Sequence, residues 1–302
     1  MIFLSNIKLK GIIPALISPI NQDGSIRYDS LRKLLCWELS HGVSGFYVCG
    51  STGEGIIMTA ESRKDMLETV MDEVGGKCTV TAHIGAANFN ETIELAKHAE
   101  SVGATAISSV PPIYFKYTED EIYSYYKAIS DACSLPLLMY GIALSGNNLT
   151  VYMVKKLMEI ENVIGLKWTY PDYFSLQQIK TINNGDINVV NGPDETLCCG
   201  LMMGADAGIG STYNLMPGLY VKLYNAMRAS DIELARKLQY AINAVTAVLV
   251  KNSTLAAIKL QLTAMGFDVG ECLNPRAPIA PEKQDELLKS LALVDYERQE
   301  LL

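Results

Sequence analysis

Short apolar runs alternate with longer amphipathic segments along most of the chain. The interval between successive runs is about 30 residues, which is the size of one βα unit. The runs are short and rich in β-branched residues, as strands buried on both faces are. The pattern predicts eight parallel strands, at residues 12–18, 45–50, 78–84, 104–110, 135–140, 163–168, 187–191 and 206–211.

The segments between these strands repeat their apolar positions at helical spacing. Four leucines form one stripe within residues 29–41, and polar residues occupy the other faces of that helix. Thr59 is placed to cap the helix predicted at residues 60–74. The other predicted helices are at residues 90–102, 119–132, 150–161, 173–183, 195–203, 217–228, 230–250, 253–265 and 282–296.

Eight βα units in a row favour an α/β fold in which a parallel sheet closes into a (β/α)8 TIM barrel. A doubly wound open sheet is the alternative, because periodicity alone does not distinguish the two. Residues 1–302 are predicted to form a single domain, since no low-complexity linker interrupts them. Within it we expect the barrel at 1–228 and a C-terminal helical extension at 229–302.

The composition narrows the classes of partner. Hydrophobic residues make up 49% and charged residues 19% of the chain, which allows a large core. The net charge of −8 disfavours nucleic acid and anionic membranes as partners. No apolar run approaches the roughly 18 residues that a membrane span needs. The N-terminal apolar stretch is too short for a signal peptide, so we expect a mature cytoplasmic protein.

Cysteine and histidine spacings predict neither disulfides nor a metal site. The seven cysteines are scattered, with no C-x-x-C pair. The three histidines, His41, His83 and His98, form no H-x-x-x-H spacing and suggest no Ser-His triad. We therefore expect buried reduced thiols and no metal or organic cofactor.

One lysine is embedded in an apolar strand. Lys167 is the second-last residue of the run Val163–Trp168, which is the sixth predicted strand. It therefore lies close to the carboxyl end of that strand, the end that forms the catalytic face of a barrel. Burial removes the water that stabilises an ammonium, and a neutral amine can attack a carbonyl carbon to form a Schiff base. The alternative is a lysine that reaches solvent or pairs with a carboxylate.

Two more strand ends carry polar groups. Gly50–Glu54 follows the second strand with two hydroxyls and several free backbone N–H groups, which suits a carboxylate, although an ordinary glycine turn has the same composition. Tyr140 ends the fifth strand. A buried phenol there can exchange protons with a substrate, or it can be a core tyrosine bonded to the backbone.

The last two strands end in similar fashion. Asn191–Glu195 follows the seventh strand and places adjacent carboxylates after a Gly-Pro turn; these could bind polyol hydroxyls or only favour a helix N-terminus. Gly208–Tyr213 ends the eighth strand with two glycines, which allow close backbone approach. The third glycine of a dinucleotide fingerprint is missing.

Taken in order, Gly-Ser-Thr-Gly-Glu, Tyr140, Gly165-Leu166-Lys167 and Gly-Ile-Gly-Ser-Thr resemble the N-acetylneuraminate lyase and dihydrodipicolinate synthase family of class I aldolases. The resemblance covers nearly the whole chain. The motifs at residues 45–54, 191–195 and 208–214 are similar to the sialic acid lyase branch. Leu144 stands about where the synthase branch carries an arginine for a second carboxylate, which argues against a dicarboxylate product.

The resemblance implies cleavage of N-acetylneuraminate to pyruvate and N-acetylmannosamine by a homotetramer that needs no cofactor. It implies that Lys167 forms the imine, that Ser51 and Thr52 hold the substrate carboxylate, and that Tyr140 moves a proton at the C4 hydroxyl. It also implies that Tyr114 reaches across a subunit interface. The residues that would contact the sugar are Thr169, Gly192, Asp194, Glu195 and Ser211.

The loop after Tyr140 departs from the family pattern. The family usually reads Tyr-Asn-x-Pro there, whereas residues 140–146 are one residue shorter and have no proline. Two alternatives therefore stay open at this point. One is an aldolase for another 2-keto-3-deoxy sugar acid, and the other is a catalytically silent barrel that binds a keto acid.

Overall fold

A computed structural model describes residues 7–298 and confirms the predicted (β/α)8 barrel. Every predicted strand is present, most of them shorter than the apolar run that predicts them. The strands are β1 Gly11–Pro14, β2 Gly45–Val48, β3 Thr79–His83, β4 Ala106–Ser109, β5 Leu137–Ile142, β6 Val163–Thr169, β7 Asn188–Asn191 and β8 Ala207–Gly210.

The sheet closes on itself. All seven ladders are parallel, and the strand order is β1-β8-β7-β6-β5-β4-β3-β2. A parallel bridge between Ala15 and Tyr47 joins the two ends. Next to it, Leu16 N–H donates to the Tyr47 carbonyl at 2.9 Å and Ser44 N–H donates to the Ile12 carbonyl at 2.8 Å. This closure excludes the open doubly wound sheet.

The helices follow the predicted alternation. Thr59 caps the second helix as predicted, since its hydroxyl accepts from Ser62 N–H at 3.1 Å. The helices are α1 Tyr28–Ser40, α2 Ala60–Val74, α3 Phe89–Ser101, α4 Glu119–Ala132, α5 Val151–Leu157, α6 Tyr173–Lys180, α7 Leu197–Met202, α8 Pro217–Arg228, α9 Ile232–Lys251, α10 Thr254–Ala264 and α11 Pro281–Arg298.

Two helices end three or more residues earlier than predicted. Helix α5 stops at Leu157 rather than at 161, and α6 stops at Lys180 rather than at 183. After α6 the backbone of Asn183 and Asn184 turns into the left-handed region, which a helix does not continue through. The spacing of apolar residues, from which the helix ends were predicted, does not show such local turns.

The barrel interior forms its own core. Alternate residues of the strands point inward, and the apolar ones among them form a buried cluster. A larger core lies between the barrel and the helices around it. The inward-pointing core residues are Leu9, Ile13, Ala15, Tyr47, Val110, Leu138, Tyr140, Val190, Ala207 and Ile209.

Helices α9–α11 follow the barrel and pack on it through α8 and α7. We propose that they extend a single domain that begins with the barrel, because their buried face is continuous with the outer core. Within residues 7–298 no single helix is long and apolar enough to cross a membrane. Helices α9 and α10 satisfy the requirements of length and composition only as a pair, and they are bent by 111° at their junction.

Candidate active site

Lys167 and Tyr140 lie side by side in the barrel wall. They occupy paired positions of β6 and β5, and their side chains share the inner face. The pairing of the two strands shifts by one residue at Leu138, which faces Gly165. A Cβ atom at Gly165 would lie 1.9 Å from the Asn188 carbonyl oxygen, so a glycine is required for the strands to approach there.

The ammonium of Lys167 lies between two aromatic rings. Its Nζ is 4.4 Å from the ring centroid of Tyr140 and 4.8 Å from that of Tyr47. The residue is only 5% exposed. Among the residues that the structure describes, no carboxylate lies within 4.0 Å of this nitrogen. The alternative interpretation required Lys167 either to reach solvent or to form an ion pair. In the described structure it does neither.

Tyr47 and His83 complete this cluster, and sequence reasoning missed both. Their rings are 6.1 Å apart, and each meets the Tyr140 ring edge-on at 6.0 Å. Tyr47 donates to the Ser108 hydroxyl at 2.9 Å. Burial first, then the nearby phenol of Tyr140, raises the pKa of Tyr47 well above its usual value. The sequence does contain a signal for both residues: side chains alternate between the two faces of a strand, and this alternation places both rings on the inner face.

His83 is neutral in this environment. Burial first, then the charges of Arg63 and Lys167, lowers the pKa of its imidazole to about 3. Within the described chain neither ring nitrogen has a hydrogen-bond partner. His83 therefore adds no positive charge beside the lysine at any ordinary pH.

The turn after β2 reaches the end of β8 across the mouth of the barrel. The hydroxyls of Thr52 and Ser211 share a hydrogen bond of 2.8 Å, and both residues are half-buried. Ser51 is exposed, one residue before Thr52. Thr52 and Ser211 are 159 residues apart in the sequence, and their hydroxyls meet above the strands. A carboxylate could accept hydrogen bonds there.

Asp194 is tied to the end of β8. Its Oδ2 accepts from Thr212 N–H at 2.7 Å and from the Thr212 hydroxyl at 2.8 Å. That hydroxyl also contacts the Tyr220 phenol at 2.6 Å. Burial, partly offset by the bonds from Thr212, raises the pKa of Asp194 to about 6. Asp194 Oδ2 therefore orients the segment that begins at Ser211.

Thr169 and Gly192 lie against each other at the ends of β6 and β7. Gly192 N–H donates to the Trp168 carbonyl at 2.9 Å. A Cβ at Gly192 would lie 1.9 Å from Thr169 Oγ1, and this hydroxyl is buried without a partner in the described chain. An unpaired buried hydroxyl beside Lys167 is available to a ligand.

Two predicted site residues lie away from this cluster. Glu195 is exposed and borders a groove formed with α7 and α9. Tyr114 is 89% exposed, its φ is +77°, and its ring meets Phe115 edge-on. The single chain therefore does not bring either side chain to Lys167.

The unusual segment after Tyr140 is ordered by the sheet. Strand β5 continues through Gly141 and Ile142, which pair with Trp168 and Thr169. The Ser145 hydroxyl donates to the Ile142 and Asn147 carbonyls at 2.8 and 2.9 Å. Tyr140 is therefore held within the strand without the missing proline.

Trp168 points out of the barrel, so it does not narrow the mouth. Its indole N–H donates to the Asp172 carbonyl at 3.0 Å, and its ring lies 4.5 Å from that of Tyr170 in the outer layer. Within residues 7–298 there is no cluster of three or more histidine, cysteine, aspartate or glutamate side chains suited to a metal ion.

The chain is similar to known proteins along almost its whole length. The dihydrodipicolinate synthetase family matches residues 8–293. N-acetylneuraminate lyase 2 of Escherichia coli O6:H1 is 38% identical over 285 residues, which cover 93% of each chain. The N-acetylneuraminate lyase of Salmonella paratyphi B is 37% identical and covers 94% of this chain and 96% of its own. The wild-type sialic acid aldolase of Ruminococcus gnavus superposes with a TM-score of 0.93 at 34% identity, over 97% of this chain and 99% of its own.

Proposed function

Because this chain belongs to the dihydrodipicolinate synthetase family, we propose that it is a class I aldolase that cleaves N-acetylneuraminate to pyruvate and N-acetylmannosamine. The observation that carries the proposal is Lys167: a buried amine beside a buried tyrosine at the carboxyl ends of the strands, with no carboxylate bound to it. The similar relatives are themselves named N-acetylneuraminate lyases and sialic acid aldolase.

Lys167 is the nucleophile in this reaction. Its neutral amine adds to the ketone carbon C2 of the sugar acid, and loss of water gives a protonated imine. The C3–C4 bond then breaks, and its electron pair moves toward the iminium nitrogen to form an enamine. Tyr140 takes the proton of the C4 hydroxyl, so that the aldehyde of N-acetylmannosamine is released. Protonation of C3 and hydrolysis of the imine return pyruvate and the free amine.

The carboxylate of the substrate binds to the turn after β2. Ser51 and Thr52 supply hydroxyls and backbone N–H groups there, and the bond from Thr52 to Ser211 orients one of these hydroxyls. The unpaired hydroxyl of Thr169 faces Gly192 next to the lysine and is suited to a sugar hydroxyl. The other residues assigned to the sugar are Asp194, Glu195 and Ser211.

The active form in this proposal is a cytoplasmic homotetramer. Tyr114 supports it, because a tyrosine that is 89% exposed is accessible to a partner surface. In the assembly Tyr114 enters the site of the neighbouring subunit. Light scattering after size exclusion is expected to give about four times the chain mass of 33.1 kDa, and a monomer would contradict the role of Tyr114.

Borohydride reduction in the presence of pyruvate tests the chemistry. We expect one stable adduct on Lys167, found by peptide mass spectrometry, and none in a Lys167→Ala variant. Lys259 is a matched internal control, because it is equally buried but bound to a carboxylate. No adduct at Lys167 would favour a silent keto-acid-binding barrel. Initial rates on a panel of 2-keto-3-deoxy sugar acids test the substrate, and N-acetylneuraminate among the slowest would contradict that assignment.

A further inference from the structure

A buried ion pair joins the turn after β2 to the C-terminal extension. Glu54 Oε2 lies 2.8 Å from Lys259 Nζ, and both side chains are 2% exposed. Glu54 lies in the turn that carries Ser51 and Thr52, and Lys259 lies in α10. Because desolvation of two charges offsets their attraction, a buried pair is weak evidence for a gain in stability. The role of the Glu54–Lys259 pair is therefore better inferred from the two segments that it joins.

Each charge of the pair has a second partner in the segment after α10. Glu54 Oε1 accepts from Leu273 N–H at 2.8 Å. Lys259 Nζ donates to the Glu271 carbonyl at 2.9 Å. Gln22, in the loop after β1, donates to the Cys272 carbonyl at 2.7 Å. The pair is therefore the centre of a junction between two barrel loops and the extension.

The backbone at Glu54 is in a conformation that needs support. Its φ is +58°, in the left-handed region that a non-glycine residue rarely adopts. Glu54 N–H donates to the Ser51 carbonyl at 3.2 Å, so this conformation closes the turn that contains Thr52. Local strain of this kind persists only where the surroundings impose it. The bonds of the Glu54 side chain support it from the extension, beside the bond that the Ser18 hydroxyl donates to the Gly53 carbonyl at 2.6 Å.

Packing beside the junction is incomplete. The segment that meets Glu54 lines a cavity of about 530 Å³, which Lys259, Gln22 and Cys272 also border. A segment beside open space has room to shift. Charge pairing and hydrogen bonding therefore add to the packing of Cys272 and Leu273 in the outer core in setting the distance between the extension and the turn.

We propose that Glu54 is a positioning residue, which through the buried pair with Lys259 fixes the turn that holds the substrate carboxylate. The identity of that carboxylate rests on the proposed function, whereas the link between pair and turn does not. The extension thereby contributes to substrate affinity through Lys259, which lies outside the residues proposed to contact the substrate. Loosening the pair raises the concentration of keto acid needed for half saturation and leaves Lys167 able to react.

The test is a charge-balanced double variant, Glu54→Gln/Lys259→Met. Replacing both partners leaves no unpaired buried charge, so we expect a melting temperature close to that of the wild type. The attraction that holds the turn is nevertheless lost. We expect the pyruvate concentration for half-maximal borohydride trapping to rise about tenfold, with full trapping still reached. We also expect faster amide hydrogen exchange in the peptide that covers residues 50–57.

Lys237→Met is the matched control, because it removes a lysine from the same extension whose ion pair with Glu233, at 3.0 Å, is exposed. It should leave trapping and exchange as in the wild type. The proposal is overturned if the double variant shows wild-type half saturation and wild-type exchange at 50–57. If the wild type itself traps no pyruvate, the proposed function fails, and the exchange measurement alone decides whether the pair holds the turn.

Discussion

Asp194→Asn is expected to change how the stability of this protein depends on pH. Asp194 is 7% exposed, and burial raises its pKa from 3.8 to about 6. In the unfolded chain the same carboxyl titrates near its ordinary value. Between these two values the folded protein retains a proton that the unfolded chain has released. The free energy of unfolding must therefore fall as the pH rises through this window.

The size of the effect follows from the two pKa values. A difference of about two units corresponds to about 3 kcal/mol between pH 3.5 and pH 7.5. The asparagine variant has no such proton, and its side-chain oxygen can still accept from Thr212. Relative to the wild type, Asp194→Asn should therefore gain about 3 kcal/mol of stability across that range, because ionisation no longer opposes folding.

Denaturant unfolding of both proteins over this pH range, at equal protein concentration, measures the difference. Asp172→Asn is a control without such a slope. Hydrogen bonds from Ser175 hold the pKa of the Asp172 carboxyl below its usual value of 3.8, so its stabilising contribution is lost only as the pH falls below that value, and above about pH 5 Asp172→Asn should differ from the wild type by a constant amount. A difference between wild type and Asp194→Asn that stays constant from pH 3.5 to 7.5 would refute the reasoning, since a desolvated carboxylate cannot behave in that way.

Three further substitutions test the site. Tyr140→Phe should lower kcat by about 10²–10⁴-fold, the usual contribution of a general base, while borohydride trapping of pyruvate persists; equal loss of trapping would assign Tyr140 to imine formation. Thr52→Val should raise KM by about tenfold with little change in kcat, because one hydrogen bond to a carboxylate is lost; an unchanged KM would remove Thr52 from the site. Gly192→Ala should destabilise the fold by about 1–3 kcal/mol, seen as a lower melting temperature, because its Cβ overlaps Thr169.

The fold could be predicted largely because its periodicity is local. Each strand is a short apolar run and each helix an amphipathic one, so their order is visible in the sequence. Closure into a barrel was not decided by that pattern, because an open sheet has the same alternation. The decisive contact is the bridge from Ala15 to Tyr47 between the first two strands. It depends on the accumulated tilt of all eight strands, which no local pattern records.

The site could be predicted in part, for a related reason. Lys167 and Tyr140 are visible because each is a polar group at the end of an apolar strand. Tyr47 and His83 were missed, since an aromatic ring within a strand is typical of ordinary core. The pair of Glu54 and Lys259 was missed because charged residues are usually exposed, and nothing local connects a turn after β2 with α10. These contacts form only when distant parts of the sequence come together in the folded chain.

The surroundings of Lys167 explain how a buried amine stays available for reaction. A carboxylate partner would hold the amino group in an ion pair, as Glu54 holds Lys259. The ring faces of Tyr47 and Tyr140 attract a cation by only about 0.5–2 kcal/mol, so they orient the nitrogen without fixing its charge. The protein thus contains two buried lysines with different partners, a carboxylate for Lys259 and two aromatic rings for Lys167, and the partners rather than the burial distinguish them.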